Sequence, residues 1–445
     1  MGINASSSLI SRPKSKHGAR GKRSGGWRVG RRLSGLLVAL LAQFVPGLVR
    51  MVYALDASAL PVGGSVRVGA GTISQNGNLL MVHQSTPQLG LDWQSFNIGS
   101  GSTVRFVQPG TTSVALNRVV GNDPSQIFGQ LQSNGQVFLT NPNGVLFAPG
   151  ARADVGGLVA STLDLSQSDF ANGNYIFTSR NSANGTGGLT KAGVVNQGTL
   201  QAATGGYIAL LGSNVSNQGQ IDAPLGSVVL AAGQAVTVGL DSSGLLSATV
   251  TPGSSAALLV SNSGNISADG GRVRLDARSA QGIAESLVNN SGTIRAQTVQ
   301  NINGEIWLGG ATEVDNSGTL DVSAGKAANS DSSAGQIAIK ADMQSGTANV
   351  GGKLLAQGGL QGGNGGSIET SGAHAHFAST LVVDTQAASG KAGQWLIDPN
   401  DFVIAASGGD ITGAALSSNL ASASVTINST SGAIVTSAGL SLIHI

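Results

Sequence analysis

The sequence predicts an all-β protein, a right-handed parallel β-helix (solenoid), behind an N-terminal signal peptide. The chain of 445 residues holds 67 glycines and only 4% aromatic residues, and interior glycines weaken helices. No apolar periodicity of 3.6 residues is visible after residue 55. Beyond residue 190 a short phrase of strand-like residues recurs along the chain. A hydrophobic content of 40% is also too high for a disordered chain.

Residues 1–54 have the layout of a secretory signal. They carry ten Lys/Arg and no Asp/Glu, and the basic stretch precedes an apolar run from Leu33 to Val49. This run of 17 residues is shorter than the roughly 20 needed to cross a bilayer. Val52 and Ala54 supply small residues three positions and one position before a cleavage site. We therefore expect cleavage after Ala54, with Ala59 as an alternative site.

Loss of this leader changes the charge of the chain. The remainder holds 14 Lys/Arg against 22 Asp/Glu, a net charge of −8. An acidic mature chain removes the main support for binding nucleic acid. The chain has no cysteine, which excludes disulfides, thiolate metal sites and a cysteine nucleophile.

A tight turn is predicted at Asn141, Pro142, Asn143 and Gly144, directly after a strand from Gln136 to Thr140. Pro142 fixes its own φ, and Asn-Gly readily adopts positive φ.

The repeated phrase reads Asn-x-Gly-x-(Leu/Ile)-x-Ala and starts at Asn196, Asn217, Asn262, Asn290 and, in a variant, Asn316. A glycine followed by alternating apolar residues comes after each copy, as in Gly206–Leu211 and Gly271–Leu275. Each phrase is typical of a short strand, with Asn-x-Gly or Gly-Gly expected to supply a positive-φ turn before it. A single coil cannot bury its own apolar face, so stacked coils are required. We expect the five asparagines to stack as a structural ladder, each amide bonding the next coil. A β-sandwich is the competing architecture, but it usually needs longer strands and larger aromatic cores.

Catalytic and metal-binding patterns are weak. A pectin-active β-helix enzyme needs clustered carboxylates, often with calcium. The acids here are scattered: Asp222, Asp269, Asp276, Glu305, Asp315 and Asp321. His374 and His376 alternate on one predicted strand, but two ligands are too few for a metal site. The sequence predicts no enzyme, no metal and no cofactor.

Residues 60–165 carry a denser set of phrases. They include Leu60–Gly64, Asp92–Ile98, Ser113–Val120, Asp123–Ile127, Gly135–Phe147 and Val155–Ser161. Their order resembles the N-terminal secretion domain of filamentous-haemagglutinin-like exoproteins from two-partner secretion systems. Trp395–Phe402 is similar to a phrase found downstream in such proteins. An earlier Asn-Pro-Asn-Leu motif of some members is missing from this sequence, which suggests a different subgroup.

The resemblance implies a route and a division of the chain. The leader (1–54) directs export to the periplasm, and residues 55–180 form the secretion domain that a partner outer-membrane barrel of the Omp85 type, with periplasmic domains, recognises. Asn141–Gly144 would be its secretion motif. Residues 181–385 would form the β-helix repeat region and 386–445 a further, truncated repeat region, because the apolar end Leu440–Ile445 shows no polar cap. The implied product is a secreted or surface-bound adhesin, with host receptors or glycans as candidate partners. The stalk of a contact-dependent toxin is the alternative, and a polysaccharide-degrading enzyme is a weaker one.

Overall fold

The computed structural model describes residues 55–179, 192–241, 245–253, 257–280, 285–325, 331–429 and 434–436. The predicted leader with its cleavage residue Ala54 lies outside the described residues, as does the apolar end 440–445.

Three parallel ladders of short strands form the three sides of the coils. Ladder A comprises Leu79–Gln84, Thr103–Val107, Gln130–Ser133, the first parts of Arg152–Ser161 and Thr199–Gly212, Gln220–Asp222, Asn265–Ser267, Thr293–Arg295, Thr319–Asp321, Lys353–Leu355 and Val382–Asp384. Ladder B comprises Gln88–Trp93, Val114–Val119, Gln136–Thr140, the second parts of Arg152–Ser161 and Thr199–Gly212, Ser227–Ala232, Arg272–Ala277, Glu305–Gly309, Gln336–Lys340, Ser367–Gly372, Gln394–Pro399 and Ser424–Ile427. Ladder C comprises Ser125–Ile127, Val145–Phe147, Val194–Asn196, Asn214–Asn217, Leu258–Asn262, Ser286–Asn290, Glu313–Asn316, Thr347–Val350 and His374–Phe377. The prediction of a parallel β-helix is confirmed.

Alternation within each strand builds the core. In ladder A, Ile221, Ile266 and Ile294 occupy the same register position in successive coils and are fully buried. Their sequence neighbours point outward, since side chains alternate between the two faces of a strand. Repeating this arrangement on three sides stacks aliphatic side chains into one continuous core that runs from Leu60 to Ala423. Each coil therefore depends on its neighbours to bury its apolar face.

The glycines of the repeated phrase serve a different purpose from the predicted one. Gly219, Gly264 and Gly292 do not adopt positive φ, so the expectation of a positive-φ turn was wrong for them. A Cβ on any of the three would lie closer to the carbonyl oxygen of the glycine one coil earlier than real Cβ atoms do. Glycine is required at this corner because successive coils approach too closely for a side chain.

An inserted hairpin explains the irregular repeat spacing between Asn217 and Asn262. Its strands, Ala235–Leu240 and Leu246–Thr251, pair antiparallel and leave the coil between ladders B and C. Together with Ile176–Thr178 they form a small side sheet. This sheet covers a second apolar cluster on the outer face of ladder B, which includes Phe138 and Tyr207.

Both ends of the described solenoid depart from the repeat. Near the N-terminus, Ser65–Val68 and Gly71–Asn76 pair antiparallel with the first strands of ladders B and A, although the sequence predicts a parallel β-helix behind the leader. Towards the C-terminus, Phe402–Ala405, Ile411–Thr412 and Ile434–Thr436 form a separate short sheet.

Two helices occur in the described ranges, α1 (Gln167–Ala171) and α2 (Gly413–Leu420). Neither has the length and apolar character of a membrane span. Helix α2 lies next to Val382–Asp384, the last described strand of ladder A. Asn419 of this helix accepts a hydrogen bond from the Val383 N–H (2.6 Å) and donates one to the Leu381 carbonyl (3.1 Å). This side-chain amide therefore satisfies backbone groups that another strand of ladder A would otherwise pair with.

Candidate functional site

The predicted turn at Asn141–Gly144 joins strand Gln136–Thr140 of ladder B to strand Val145–Phe147 of ladder C. The Gly144 N–H donates to the Asn141 carbonyl at 3.0 Å and closes a four-residue turn. Gly144 has a φ of 121°, which a residue with a side chain adopts only under strain. A Cβ added there would meet only ordinary contacts, at 3.5 Å or more. Backbone conformation, rather than space, therefore requires glycine at this position.

Asn141 anchors the turn to the coils on both sides. Its side chain is fully buried, and Nδ2 donates to the Asp123 carbonyl and to Ser125 Oγ, both at 3.0 Å. Its backbone N–H donates to the carbonyl of Ser161 in the following coil at 2.9 Å. The sequence pattern places Asn141 in the turn but does not reveal that its side chain is the buried anchor. The available signal was the Asn-Pro start, since asparagine favours the first position of such turns.

Asn143 lies at the exposed tip of the turn. Its N–H donates to Asn141 Oδ1 at 3.0 Å, and its Nδ2 donates to the Gly121 carbonyl at 3.0 Å. The tip is thereby held against the preceding coil. The four residues form a rigid turn that presents Asn143 to solvent.

A buried polar pair joins the first two coils of ladder B. Trp93 Nε1 donates to Asn117 Oδ1 at 3.0 Å, and both side chains are buried in the core. Asn117 Nδ2 donates in turn to the Ala115 carbonyl at 3.2 Å. Trp93 and Asn117 belong to two of the phrases that carry the family resemblance. Because an unpaired buried amide is costly, each of the two residues requires the other.

An ion network joins the first strand, ladder B and the α1 segment. Arg118 donates to both oxygens of Asp164, at 2.9 and 2.8 Å, and lies 3.7 Å from Asp92. Arg67 also binds Asp92, at 2.9 Å, and Gln167 of α1 donates to it at 3.1 Å. The hydrogen bond with Asp164 raises the pKa of Arg118. The network ties the N-terminal segments of the domain together.

The five repeat asparagines lie in one column at the end of ladder C. They are buried and in register, and the Nδ2 of each of the first four donates to Oδ1 of the asparagine in the next coil at 2.7 or 2.8 Å. The last, Asn316, donates to the Gly351 carbonyl at 2.9 Å. Apolar residues continue the same register position at both ends, Phe147 before the column and Val350 after it. The arrangement is a chain of amide–amide hydrogen bonds that runs along the solenoid.

The acids considered for catalysis do not converge. Each has a different neighbour: Asp222 pairs with Gln220, Asp269 with Arg295, Asp276 with Arg274 and Arg278, Glu305 with Arg272, Asp315 with Asn349, and Asp321 with Gln297. They belong to separate local pairs, and Asp276 among them is fully buried.

A closer pair of carboxyls is formed by Glu313 and Asp315, which share the outer face of one ladder C strand. Burial raises the pKa of Glu313, and the charges of Asp315 and Glu285 raise it further. Burial also raises the pKa of Asp315, against the hydrogen bond from Asn349. Asn349 Nδ2 contacts Glu313 Oε1 at 3.2 Å and Asp315 Oδ1 at 2.8 Å. The amide bridges two carboxyls that would otherwise repel each other.

The two histidines lie on the outer face of the last ladder C strand. His376 Nδ1 is 2.7 Å from Asp410 Oδ1, and His374 Nδ1 is 3.7 Å from Asp401 Oδ1. Each histidine thus has its own carboxylate. Among the described residues no three histidine or acidic side chains form a group that could hold a metal ion.

Comparison with known proteins identifies the family. The family model described as the TPS secretion domain matches residues 57–322, more than half of the chain and well beyond residue 180. A "Heme/hemopexin-binding protein" of Haemophilus influenzae (strain ATCC 51907 / DSM 11121 / KW20 / Rd) is 48% identical over 120 residues, which are 27% of this chain and 13% of that protein. A second Haemophilus influenzae protein of the same name is 34% identical over 245 residues, 52% of this chain and 26% of that protein. This chain thus spans about a quarter or less of the length of these relatives.

A solved structure agrees on the fold. The crystal structure of the HMW1 secretion domain from Haemophilus influenzae superposes with a TM-score of 0.65 at 23% identity, covering 85% of this chain and 96% of that one. The filamentous hemagglutinin secretion domain gives a TM-score of 0.42 at 16% identity, covering 74% and 99%. The predicted resemblance to two-partner exoproteins is confirmed. The chain belongs to the TPS secretion domain family, the domains carried by exoproteins that two-partner systems export.

Proposed function

We propose that this chain is a secreted, non-enzymatic surface exoprotein of the adhesin or haemagglutinin type. A dedicated outer-membrane barrel of the Omp85 type recognises its N-terminal domain through periplasmic domains and conducts it to the cell surface. The observation that carries the proposal is the match of residues 57–322 to the TPS secretion domain. The absence of cysteine fits this route, because a disulfide formed in the periplasm would obstruct threading.

The start of the folded part supports cleavage after Ala54 rather than after Ala59. The carbonyls of Ala57 and Ala59 accept hydrogen bonds from the N–H groups of Gly101 and Gly99, both at 2.9 Å. Cleavage after Ala59 would remove these contacts from the first coil. We therefore assign residue 55 as the mature start, which N-terminal sequencing of the secreted protein tests.

Within the secretion domain we assign the recognition role to the turn at Asn141–Gly144. The turn is rigid, its Asn143 side chain is exposed, and its geometry depends on the buried Asn141. A transporter that reads the folded surface of the first coils would find a fixed feature there. A chain that is still unfolded lacks this turn geometry, so the proposed recognition requires the first coils to be folded.

Substitutions in the turn test this assignment. Asn143→Ala and Gly144→Val, expressed together with the partner barrel, should lower release into the medium while the leader is still cleaved. A β-branched residue at the positive φ of Gly144 costs about 1–2 kcal/mol.

Gly205 provides a matched control for strain. Its φ is 77° and a Cβ there would meet nothing within 4 Å, so Gly205→Val strains the backbone outside the motif. Asn265→Ala is the control for loss of an exposed amide. Normal release of both motif variants would refute the recognition role of the turn. If Gly144→Val and Gly205→Val lowered release equally, the effect of Gly144→Val would be explained by lost stability alone.

A further inference from the structure

An outward-facing tryptophan distinguishes one stretch of ladder B. Trp307 lies between the buried residues Ile306 and Leu308, so its indole projects from the outer face of the sheet and is partly exposed. Trp93 and Trp395, by contrast, are 1% and 0% exposed. A large apolar ring left at the surface of a solenoid with few aromatic residues calls for a reason, because burial would have stabilised the fold.

One face of this indole is already occupied. Arg274 precedes Trp307 in register by one coil, and its guanidinium carbon lies 3.7 Å from the ring centroid. Asp276, fully buried, holds that guanidinium at 2.7 Å and also binds Arg278 at 3.0 Å. The stack of cation on ring orients the indole and favours its position.

On the opposite side the register places a small residue beside Trp307, and we call the space above that residue the gap. The residue in register with Trp307 in the next coil is Ala338, whose methyl group is partly exposed. One coil further on, the residue at the same register position is Glu369. Two coil spacings separate Trp307 from Glu369, about 9.6 Å between their backbones. A ring stacked about 4 Å from the indole fits within that space above Ala338.

Polar groups stand at the edge of this gap. Lys340 Nζ lies 2.6 Å from Glu369 Oε1, which also accepts from Ser371 Oγ at 2.9 Å. An ammonium group has three donors and a carboxylate has about four acceptor sites, so both keep capacity for another partner. The pair is therefore able to donate to and accept from hydroxyl groups.

We propose that Trp307, Ala338, Lys340 and Glu369 form a carbohydrate subsite that binds one pyranose ring. The ring stacks its apolar face on the indole above Ala338, and its hydroxyls bond Lys340 and Glu369. An aromatic surface with a few fixed polar groups is the usual makeup of such a site. The charges nearby largely balance, since Arg274, Arg278 and Lys340 face Asp276 and Glu369, which suits an uncharged sugar. This inference rests on the adhesive role proposed above and gives it a location.

Titration of the purified secreted chain with methyl glycosides tests the subsite. The probes are methyl β-galactoside, methyl β-glucoside, methyl N-acetyl-β-glucosaminide and methyl α-mannoside at about 1–50 mM, the range expected for few contacts. At least one should change Trp307 emission and protect it from acrylamide quenching. Subtraction of the Trp307→Leu signal isolates this residue from the other tryptophans.

Two further variants locate the site. Ala338→Leu fills the gap while keeping Trp307, and it should weaken binding about tenfold or more, since the stacking contact is lost. Ser367→Leu adds the same side chain to an exposed position of the same sheet outside the gap, and it should leave binding within about twofold.

The proposal is overturned if no glycoside affects Trp307 of the wild-type chain, or if Ala338→Leu binds as the wild type does. These outcomes are independent of export, because the assay uses protein already purified. A chain that binds sugar but is released without its partner barrel would refute the proposed export route and leave the subsite standing.

Discussion

Replacing Asn262, the middle member of the buried asparagine column, should destabilise the coils on both sides of it. Asn262 Oδ1 accepts from Asn217 Nδ2 at 2.7 Å, and Asn262 Nδ2 donates to Asn290 Oδ1 at 2.8 Å. Asn262→Ala removes both bonds and leaves polar atoms of two buried neighbours with fewer partners.

The size of the effect follows from these contacts. Each lost hydrogen bond costs about 1 kcal/mol net, and a buried polar atom left unsatisfied costs about 1–3 kcal/mol more. Asn217 Nδ2 keeps a long contact to the Gly219 carbonyl at 3.4 Å, which lowers the penalty on that side. The loss should therefore be about 3 kcal/mol, with further loss from the small void.

Native-state hydrogen exchange read by mass spectrometry measures this locally, which suits a solenoid whose coils open in parts. Peptides that cover Gln218 and Ser291 should exchange about a hundredfold faster in Asn262→Ala, because 1.4 kcal/mol corresponds to a factor of ten. The control is Asn265→Ala, an exposed asparagine three residues away, which should change exchange by less than about threefold. Equal exchange in the two variants would refute the view that the amide column holds the coils together.

Three further variants test other parts of the account. Gly219→Ala places a Cβ against the carbonyl oxygen of Gly198 in the preceding coil, so it should lower the free energy of unfolding by about 1–3 kcal/mol. An unchanged urea midpoint would contradict this close approach of the two coils. Burial, followed by the charge of Asp315, raises the pKa of Glu313 above its ordinary value of 4.5. A carboxyl whose pKa is higher in the folded state than in the unfolded state stabilises the fold fully at a pH below 4.5. That contribution is lost as the pH rises through the folded-state pKa. Glu313→Gln should therefore gain stability relative to the wild type as the pH rises above 4.5, whereas a pH-independent difference in urea midpoint would contradict the sign. Asn419→Leu should speed amide exchange in Val382–Asp384 at least about tenfold, and unchanged exchange there would show that α2 does not terminate ladder A through this amide.

The repeat phrases predicted the ladders because alternation and register are local properties of the chain. Ile221 and Ile266 each stand at the same distance from their Asn-x-Gly phrase, so stacking one phrase on the next places them in register. The same regularity predicted which asparagines share a column. It could not predict the inserted hairpin Ala235–Leu240 and Leu246–Thr251, because its strands pair with the distant segment Ile176–Thr178 and pack on the outer face of ladder B.

Other features depend on contacts that are distant in sequence. The role of Gly219 is steric, and it is set by the carbonyl of another coil rather than by its own turn. Asn141 acts through Asp123 and Ser125 of the preceding coil, so the local turn signal identified the motif without its anchor. The Trp307 site likewise requires the register of three coils, which a reading of one phrase at a time does not supply.

Measuring whether export depends on the partner transporter tests the proposed function most directly. Cells that express the full chain with or without the outer-membrane transporter of its two-partner system are compared for the amount of chain in the medium. We expect release only with the transporter, and we expect the leader-free chain to remain in the periplasm without it. Equal release from both strains would contradict recognition of the secretion domain by a dedicated partner.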